Sequence, residues 1–314
     1  MFTRHHWFQK QNRNRTLAFA LSGGGARGML QVGALRALLE ANLQPDMWVG
    51  TSIGGMNAAF LAIHGFTPEG MTKLEAAWAD AAVADLLPGS YLRLTARILL
   101  NRISGHPQQH LMRDFFIAHG ATPELRFGDL PGPRLILVSA DLNGYDVVLH
   151  GTDPAEFVLD GLLASTAIPP WIHPLRVNGK LLADGGFVSN LPLEPAIHCG
   201  ATEIIALHID ALQRLGPEVD GFGPFFLRVM DIVEQRQFDL ELALAQAKKV
   251  PVHLIPLQTK SPHPIWDVAG AKPLLLTGYN IARQEMGRWA QQTAPAPPTW
   301  IERLGRKTQH ILKK

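Results

Sequence analysis

The stretch Leu17-Ala18-Phe19-Ala20-Leu21-Ser22-Gly23-Gly24-Gly25-Ala26-Arg27-Gly28, followed by Asp46-Met47-Trp48-Val49-Gly50-Thr51-Ser52-Ile53-Gly54, decides how the rest of the chain folds. Five apolar residues end in a serine and three glycines. From Gly28 onward, apolar residues recur at helical spacing: Met29, Val32, Leu35, Leu38 and Leu39. This is strand, glycine loop, helix. The pattern repeats at once, with residues 46–50 reading as a strand, Thr51-Ser52 as a tight turn and residues 53–64 as an apolar helix. Two parallel strands joined by a crossover helix follow, the unit from which doubly covered α/β sheets are built.

The same reading extends outward. Residues 68–83 carry a helical pattern with Pro68 in the first turn, and residues 91–120 are mixed helical, broken by Gly105 and Pro107; together they suggest a helical cap. Asn143-Gly144 and Asn178-Gly179 are hairpin-type turn signals, the first between β-rich runs 134–142 and 146–150, the second between 175–177 and 180–183. Residues 202–209 and 252–257 read as buried strands separated by a long helix over 225–249, and a last helix spans 272–292. The expected fold is α/β in three layers: a largely parallel central sheet flanked by helices. One domain over residues 16–292 is expected between a basic tail at 1–15 and another at 293–314.

Of 314 residues, 46% are hydrophobic and 18% charged, enough to bury a soluble enzyme's core. The net charge of +2 is unevenly spread. Residues 1–16 carry Arg4, Lys10, Arg13 and Arg15 with no acid, and residues 301–314 carry five cations against Glu302, which leaves −6 on the rest. Such ends suit either solvated tails or peripheral contact with an anionic membrane surface. His5, His6, Gln9, Gln11 and Asn12 interrupt what would be the apolar part of a secretory signal, and no apolar run is long enough to span a bilayer. A cytoplasmic protein is expected, with the inner face of a membrane within its reach. The single Cys199 excludes an intrachain disulfide and reads as filler. No H-E-x-x-H, no C-x-x-C and no carboxylate cluster points to a metal, and no nucleic-acid partner is expected.

The candidate chemistry begins at Ser52. Glycines two positions to either side, Gly50 and Gly54, remove side chains that would collide when a strand turns sharply into a helix, so the elbow exposes the serine hydroxyl. An ordinary turn or helix-capping serine is the alternative. The loop from Gly23 to Gly28 can aim several N–H groups at one anion: a dinucleotide pyrophosphate, a nucleotide phosphate or the oxyanion of an acyl transfer. Gly28-Met29-Leu30 stands where a P-loop needs Lys and Ser or Thr, which removes that reading. The second strand ends in Gly50-Thr51-Ser52 rather than an acid, which weakens the dinucleotide reading and the oxidoreductase it implies without removing them. A serine needs a base. Asp184 is the best candidate, ending the 180–183 run before Gly185-Gly186; a turn-capping role is its alternative. His208 or His263 could instead complete a Ser-Asp-His triad, though neither stands in a recognisable motif.

Taken in order, G-x-G-x-x-G at Gly23–Gly28, G-x-S-x-G at Gly50–Gly54 and D-G-G at Asp184-Gly185-Gly186 resemble the patatin-like phospholipases. Ala164-Ser165-Thr166-Ala167-Ile168-Pro169 resembles the family's A-S-x-A-x-P block, and Asn190-Leu191-Pro192 its N-x-P. The resemblance covers residues 16–210. It implies a lipid acyl hydrolase of the phospholipase A or esterase type that needs no cofactor, with a lipid or fatty-acyl ester and water as substrates. It further implies a Ser52–Asp184 dyad, with the oxyanion hole drawn from Gly23, Gly24, Gly25, Arg27 and Gly28. A carboxylate near its ordinary pKa of about 4 is a feeble base at neutral pH, so Asp184 is expected to be desolvated. A non-catalytic lipid-binding module of the same fold is the alternative from another class.

Overall fold

The computed structural model describes residues 15–84, 86, 106–169, 172–210, 222–259, 261, 263–265 and 267–293. The two tails, apart from Arg15 and Thr293, and most of the cap between residues 85 and 105 lie outside these. The strands are β1 (Leu17–Leu21), β2 (Met47–Thr51), β3 (Arg134–Asp141), β4 (Asp146–His150), β5 (Leu175–Val177), β6 (Lys180–Asp184), β7 (Glu203–Ile209) and β8 (Val252–Leu257). The helices are α1 (Met29–Glu40), α2 (Ile53–His64), α3 (Pro68–Ala84), α4 (His106–Ala118), α5 (Val158–Ser165), α6 (Leu193–His198), α7 (Phe222–Ala247) and α8 (Leu274–Thr293). A 3-10 turn, Gly25–Gly28, leads into α1.

The strands form one sheet in the order β5-β6-β3-β2-β1-β7-β8, with β4 also paired to β3. β1, β2, β3, β7 and β8 run parallel, while β4 and β6 pair antiparallel with β3, and β5 pairs antiparallel with β6. The period of two along each strand sorts the core into two layers. Phe19, Leu21, Trp48, Leu137 and Leu207 face one side, under α1, α2, α3, α5 and α8; Ala18, Ala20, Val49, Val138 and Ala206 face the other, under α6 and α7. Both faces are covered, so the parallel strands read as continuous apolar runs rather than alternating ones. Among the described residues no helix is long and apolar enough to cross a membrane.

Two details of the sheet position the site. β1 sits centrally, with successive strands leading away on both sides; crevices of α/β sheets open at the carboxyl ends of strands at such a switch point, and the glycine loop follows β1 there. The second detail concerns β3. β2 pairs with it up to Thr51↔Val138, and β6 takes over the same edge at Ser139↔Asp184 while β4 holds the opposite one. The end of β6 thus meets the end of β2.

The two asparagine-glycine turns differ. Asn178 and Gly179 both have positive φ (50° and 79°), the two-residue turn the dipeptide predicts. Asn143-Gly144 instead lies within the connection between Asp141 and Asp146, where the left-handed residue is Tyr145 (φ 57°). There the Asp141 carboxylate accepts the Asn143 N–H at 3.1 Å and fixes a longer loop.

Candidate active site

Ser52 occupies the turn between β2 and α2 with φ 54° and ψ −124°, a backbone region that costs a non-glycine residue roughly 1–3 kcal/mol. Close packing holds it there. A Cβ on Gly54 would lie 2.4 Å from the Leu21 carbonyl oxygen, and one on Gly50 would lie 2.5 Å from the Gly55 Cα, so only glycine lets α2 start this near β1. The Ser52 N–H donates to Ser165 Oγ at 3.0 Å, and Ser165 is fully buried. The block at 164–169 therefore supports the elbow directly.

Asp184 is buried, 3% exposed, at the end of β6. Its main-chain N–H donates to Ala167 O at 2.8 Å, so the 164–169 block grips the acid as well as the serine. Oδ1 accepts the Gly186 N–H at 2.8 Å, the turn-capping role, while Oδ2 is buried with no hydrogen-bond partner among the described residues. Burial pushes the carboxyl pKa from 3.8 up to about 7. The Ser52 hydroxyl beside it and the Gly186 N–H oppose that rise by favouring the charged form, and the Glu234 carboxylate adds to it. Capping and facing the serine are thus simultaneous.

The glycine loop divides its work. Gly23 donates its N–H to Asn190 O at 3.1 Å, and Ala26 donates to Ile265 O at 2.8 Å. Gly24 and Gly25, at the start of the 3-10 turn, have no such partner for their N–H groups among the described residues, and both line the cavity that holds Ser52 and Asp184. Gly25 has φ 59°, a conformation that favours glycine. The Arg27 side chain is buried, with Nε donating to Gly24 O at 3.2 Å and Nη1 to Asp210 O at 3.4 Å, so its guanidinium braces the loop. Gly28 packs against Ile53 and Trp78 at the junction of α1 and α2 and does not line the cavity.

The rest of the wall is mostly apolar, including Met56, Trp78, Met112, Ile172, Met230 and Val268, with Thr166, Asn190 and Glu234 as its polar members. No histidine lines it among the described residues. His208 stacks on Phe238 of α7 at 4.6 Å, and His263 Nε2 lies 2.8 Å from Asp267 O. Among the described residues no three His, Cys, Asp or Glu side chains converge as a metal site.

A supporting set surrounds these groups: Asn190 belongs to the N-x-P block already noted in the sequence, whereas Gln31, Asn57 and Trp78 stand in no motif. Asn190 lies against Gly23 and Gly186, and its Nδ2 donates to Glu234 Oε2 at 3.2 Å. Gln31, Asn57 and Trp78 form a buried chain behind the glycine loop: Gln31 Nε2 donates to Ser22 O, Asn57 Nδ2 to Gln31 Oε1 and Trp78 Nε1 to Asn57 Oδ1. Gln31 shares a helix face with Leu35 and Leu38, Asn57 with Phe60 and Leu61, and Trp78 with Met71 and Leu74, so their burial follows the helical period while their mutual hydrogen bonds are set by the packed fold.

The patatin-like phospholipase domain-containing protein 7 of Mus musculus is 32% identical over 227 residues, 70% of this chain and 16% of that protein. An uncharacterized NTE family protein of Mycobacterium tuberculosis is 30% identical over 210 residues, 67% of this chain and 32% of that protein. The chain therefore spans only a minor part of these relatives. Human GIVD cytosolic phospholipase A2 superposes with a TM-score of 0.47 at 13% identity, covering 87% of this chain and 58% of that one. The family model described as patatin-like phospholipase matches residues 19–197, more than half the chain, including Gly23–Gly28, Ser52, Ser165, Asp184 and Asn190. The chain belongs to the patatin-like phospholipase family.

Proposed function

We propose that this protein is a lipid acyl hydrolase in which Ser52 is the nucleophile, Asp184 the base and the Gly24 and Gly25 N–H groups the oxyanion hole. The observation that carries the reading is the pairing of a strained, glycine-flanked serine with a buried carboxyl whose pKa lies near 7. A carboxylate so raised can take a proton at neutral pH, which one near 4 does poorly. An apolar cavity lined by no histidine among the described residues favours the dyad over a Ser-Asp-His triad.

The steps follow from the residues. A fatty-acyl ester lays its chain along the apolar wall near Met56, Trp78 and Met112, bringing its carbonyl carbon to Ser52 Oγ. Asp184 accepts the hydroxyl proton as Oγ attacks, and the developing oxyanion draws on the Gly24 and Gly25 N–H groups, aided by the buried, low-dielectric surroundings. Asp184 returns the proton to the leaving alcohol. Water then attacks the acyl-serine ester as Asp184 takes its proton, and Asp184 passes that proton to Ser52 Oγ as the acyl–oxygen bond breaks and the fatty acid leaves.

The test is labelling by a long-chain fluorophosphonate, followed by hydrolysis of a fatty-acyl ester panel. Wild type labels and hydrolyses, Ser52→Ala does neither, Asp184→Asn loses roughly 10² to 10⁴ in kcat/KM, and His208→Ala stays near wild type. Absence of wild-type labelling and turnover would leave a non-catalytic lipid-binding module. Loss of activity in His208→Ala with near-normal Asp184→Asn would replace the dyad by a triad.

A further inference from the structure

Three parts of the candidate site come from distant stretches of chain: the glycine loop after β1, the elbow after β2 and the acid at the end of β6. One short turn, Ser189-Asn190, touches all three. Asn190 O accepts the Gly23 N–H at 3.1 Å, Ser189 O accepts the Thr51 hydroxyl at 2.8 Å, and the Ser189 N–H donates to Gly185 O at 2.9 Å. Both residues of the turn are buried.

That turn is held from behind by α7. Glu234, Gln237 and Glu241 lie three and four residues apart, so they share one face of the helix. Glu234 accepts from Asn190 Nδ2, Gln237 Oε1 accepts the Asn190 N–H at 3.3 Å, and Gln237 Nε2 donates to Phe187 O at 2.8 Å. Glu241 makes the densest set. Its Oε1 accepts the Ser189 hydroxyl at 2.6 Å, and its Oε2 accepts the Leu193 and Glu194 N–H groups at 2.8 Å each. It is only 8% exposed, does not line the cavity and has no part in the chemistry proposed above. A buried carboxyl retained this far from the reacting atoms, with every contact aimed at one stretch of chain, acts on that stretch.

We propose that Glu241 is a positioning residue which, through Ser189, sets the 189–190 turn against which the elbow, the acid and the glycine loop are aligned. The inference rests on the Ser52–Asp184 reading. The geometry also states what the position requires. Oε2 must accept two N–H groups, whereas Oε1 can either accept from the Ser189 hydroxyl or, if protonated, donate to it. Burial pushes the Glu241 pKa up to about 7, opposed by the Ser189 hydroxyl and the two N–H donors, so both states are within reach near neutral pH. A glutamine meets the same requirement, its oxygen accepting the two N–H groups and its NH2 donating to Ser189. Shape and hydrogen bonding at this position matter more than charge.

The experiment measures kcat and KM on a soluble short-chain ester, with the rate of fluorophosphonate labelling, for wild type, Glu241→Gln, Glu241→Ala, Ser189→Ala and Ser52→Ala. Glu241→Gln should stay within about threefold of wild type. Glu241→Ala should lose roughly 10² in kcat and in labelling rate, the scale of a 1 Å misalignment, with KM within about threefold. Ser189→Ala removes only the link through the hydroxyl and should lose about tenfold in kcat at unchanged KM. A folded Glu241→Ala with wild-type kcat overturns the proposal. Should Glu241→Ala fail to fold, unchanged kcat in Ser189→Ala overturns it equally. Activity persisting in Ser52→Ala would instead sink the dyad, whatever Glu241 does.

Discussion

Replacing Asp184 by asparagine should abolish most activity and, at alkaline pH, make the protein more stable. The carboxyl is 3% exposed, and burial holds its pKa at about 7 against 3.8 for the unperturbed group. Between those two values the folded chain binds a proton that the unfolded chain has released. Folding stability is therefore full below pH 3.8 and declines as pH rises toward 7, because the raised group belongs to the folded state. Each pH unit inside the window is worth about 1.4 kcal/mol, so wild type loses roughly 2.5 kcal/mol between pH 5 and pH 8 on this group alone. The Asn variant carries no such ionisation and keeps an oxygen for the Gly186 N–H. Glu241, with a pKa also raised to about 7, titrates in both proteins and cancels in the comparison to first order. Urea unfolding of both proteins at pH 5 and pH 8 reads the difference: the stability of Asp184→Asn relative to wild type should be greater by roughly 2.5 kcal/mol at pH 8 than at pH 5. At pH 8, where wild-type Asp184 is ionised, kcat/KM should be down by roughly 10² to 10⁴. An equal offset at the two pH values would mean that Asp184 titrates as an ordinary carboxyl and is not a desolvated base.

For wild type, kcat/KM should climb about tenfold per pH unit up to pH 7 and then level, leaving about 1% of the plateau at pH 5; a plateau reaching down to pH 5 contradicts a base titrating near 7. Ser165→Ala removes the only acceptor that the Ser52 N–H has among the described residues, 3.0 Å away, and should cost about 1–3 kcal/mol in urea stability with a fall in kcat. Unchanged kcat there would show that the elbow holds itself. Gly54→Ala places a Cβ 2.4 Å from the Leu21 carbonyl oxygen, where main chain on both sides limits relief, and should cost about 1–3 kcal/mol or more by the same measurement.

The parallel core was legible because each unit carries its own signal. Leu17–Leu21 and Val252–Leu257 are apolar runs of strand length, and β8 follows the sequence pattern residue for residue. The short helices were not legible: eight-residue α5 ends inside the 164–169 block, sharing only its first two residues, and six-residue α6 is too brief to show a period. The site divides the same way. Ser52, Asp184 and the glycines stand in spacings imposed by backbone geometry, which a sequence displays. The division of labour within the glycine loop is not in the spacing. Gly23 and Gly24 are alike as letters, and only the approach of Asn190 decides that the first spends its N–H while the second does not. Glu241 lies further still from legibility, 57 residues beyond Asp184 on an amphipathic helix whose charged residues look like a solvated face. What turns that face inward is α7 lying over the second layer of the core, where Phe238 and Leu242 pack against α6 and the ends of the strands. Once those two apolar residues fix the roll of the helix, Glu234, Gln237 and Glu241 have nowhere to point except at the Ser189-Asn190 turn. The strain at Ser52 and the desolvation of Asp184 both cost stability, and the hydrogen bonds from α7 are among the contacts that offset it.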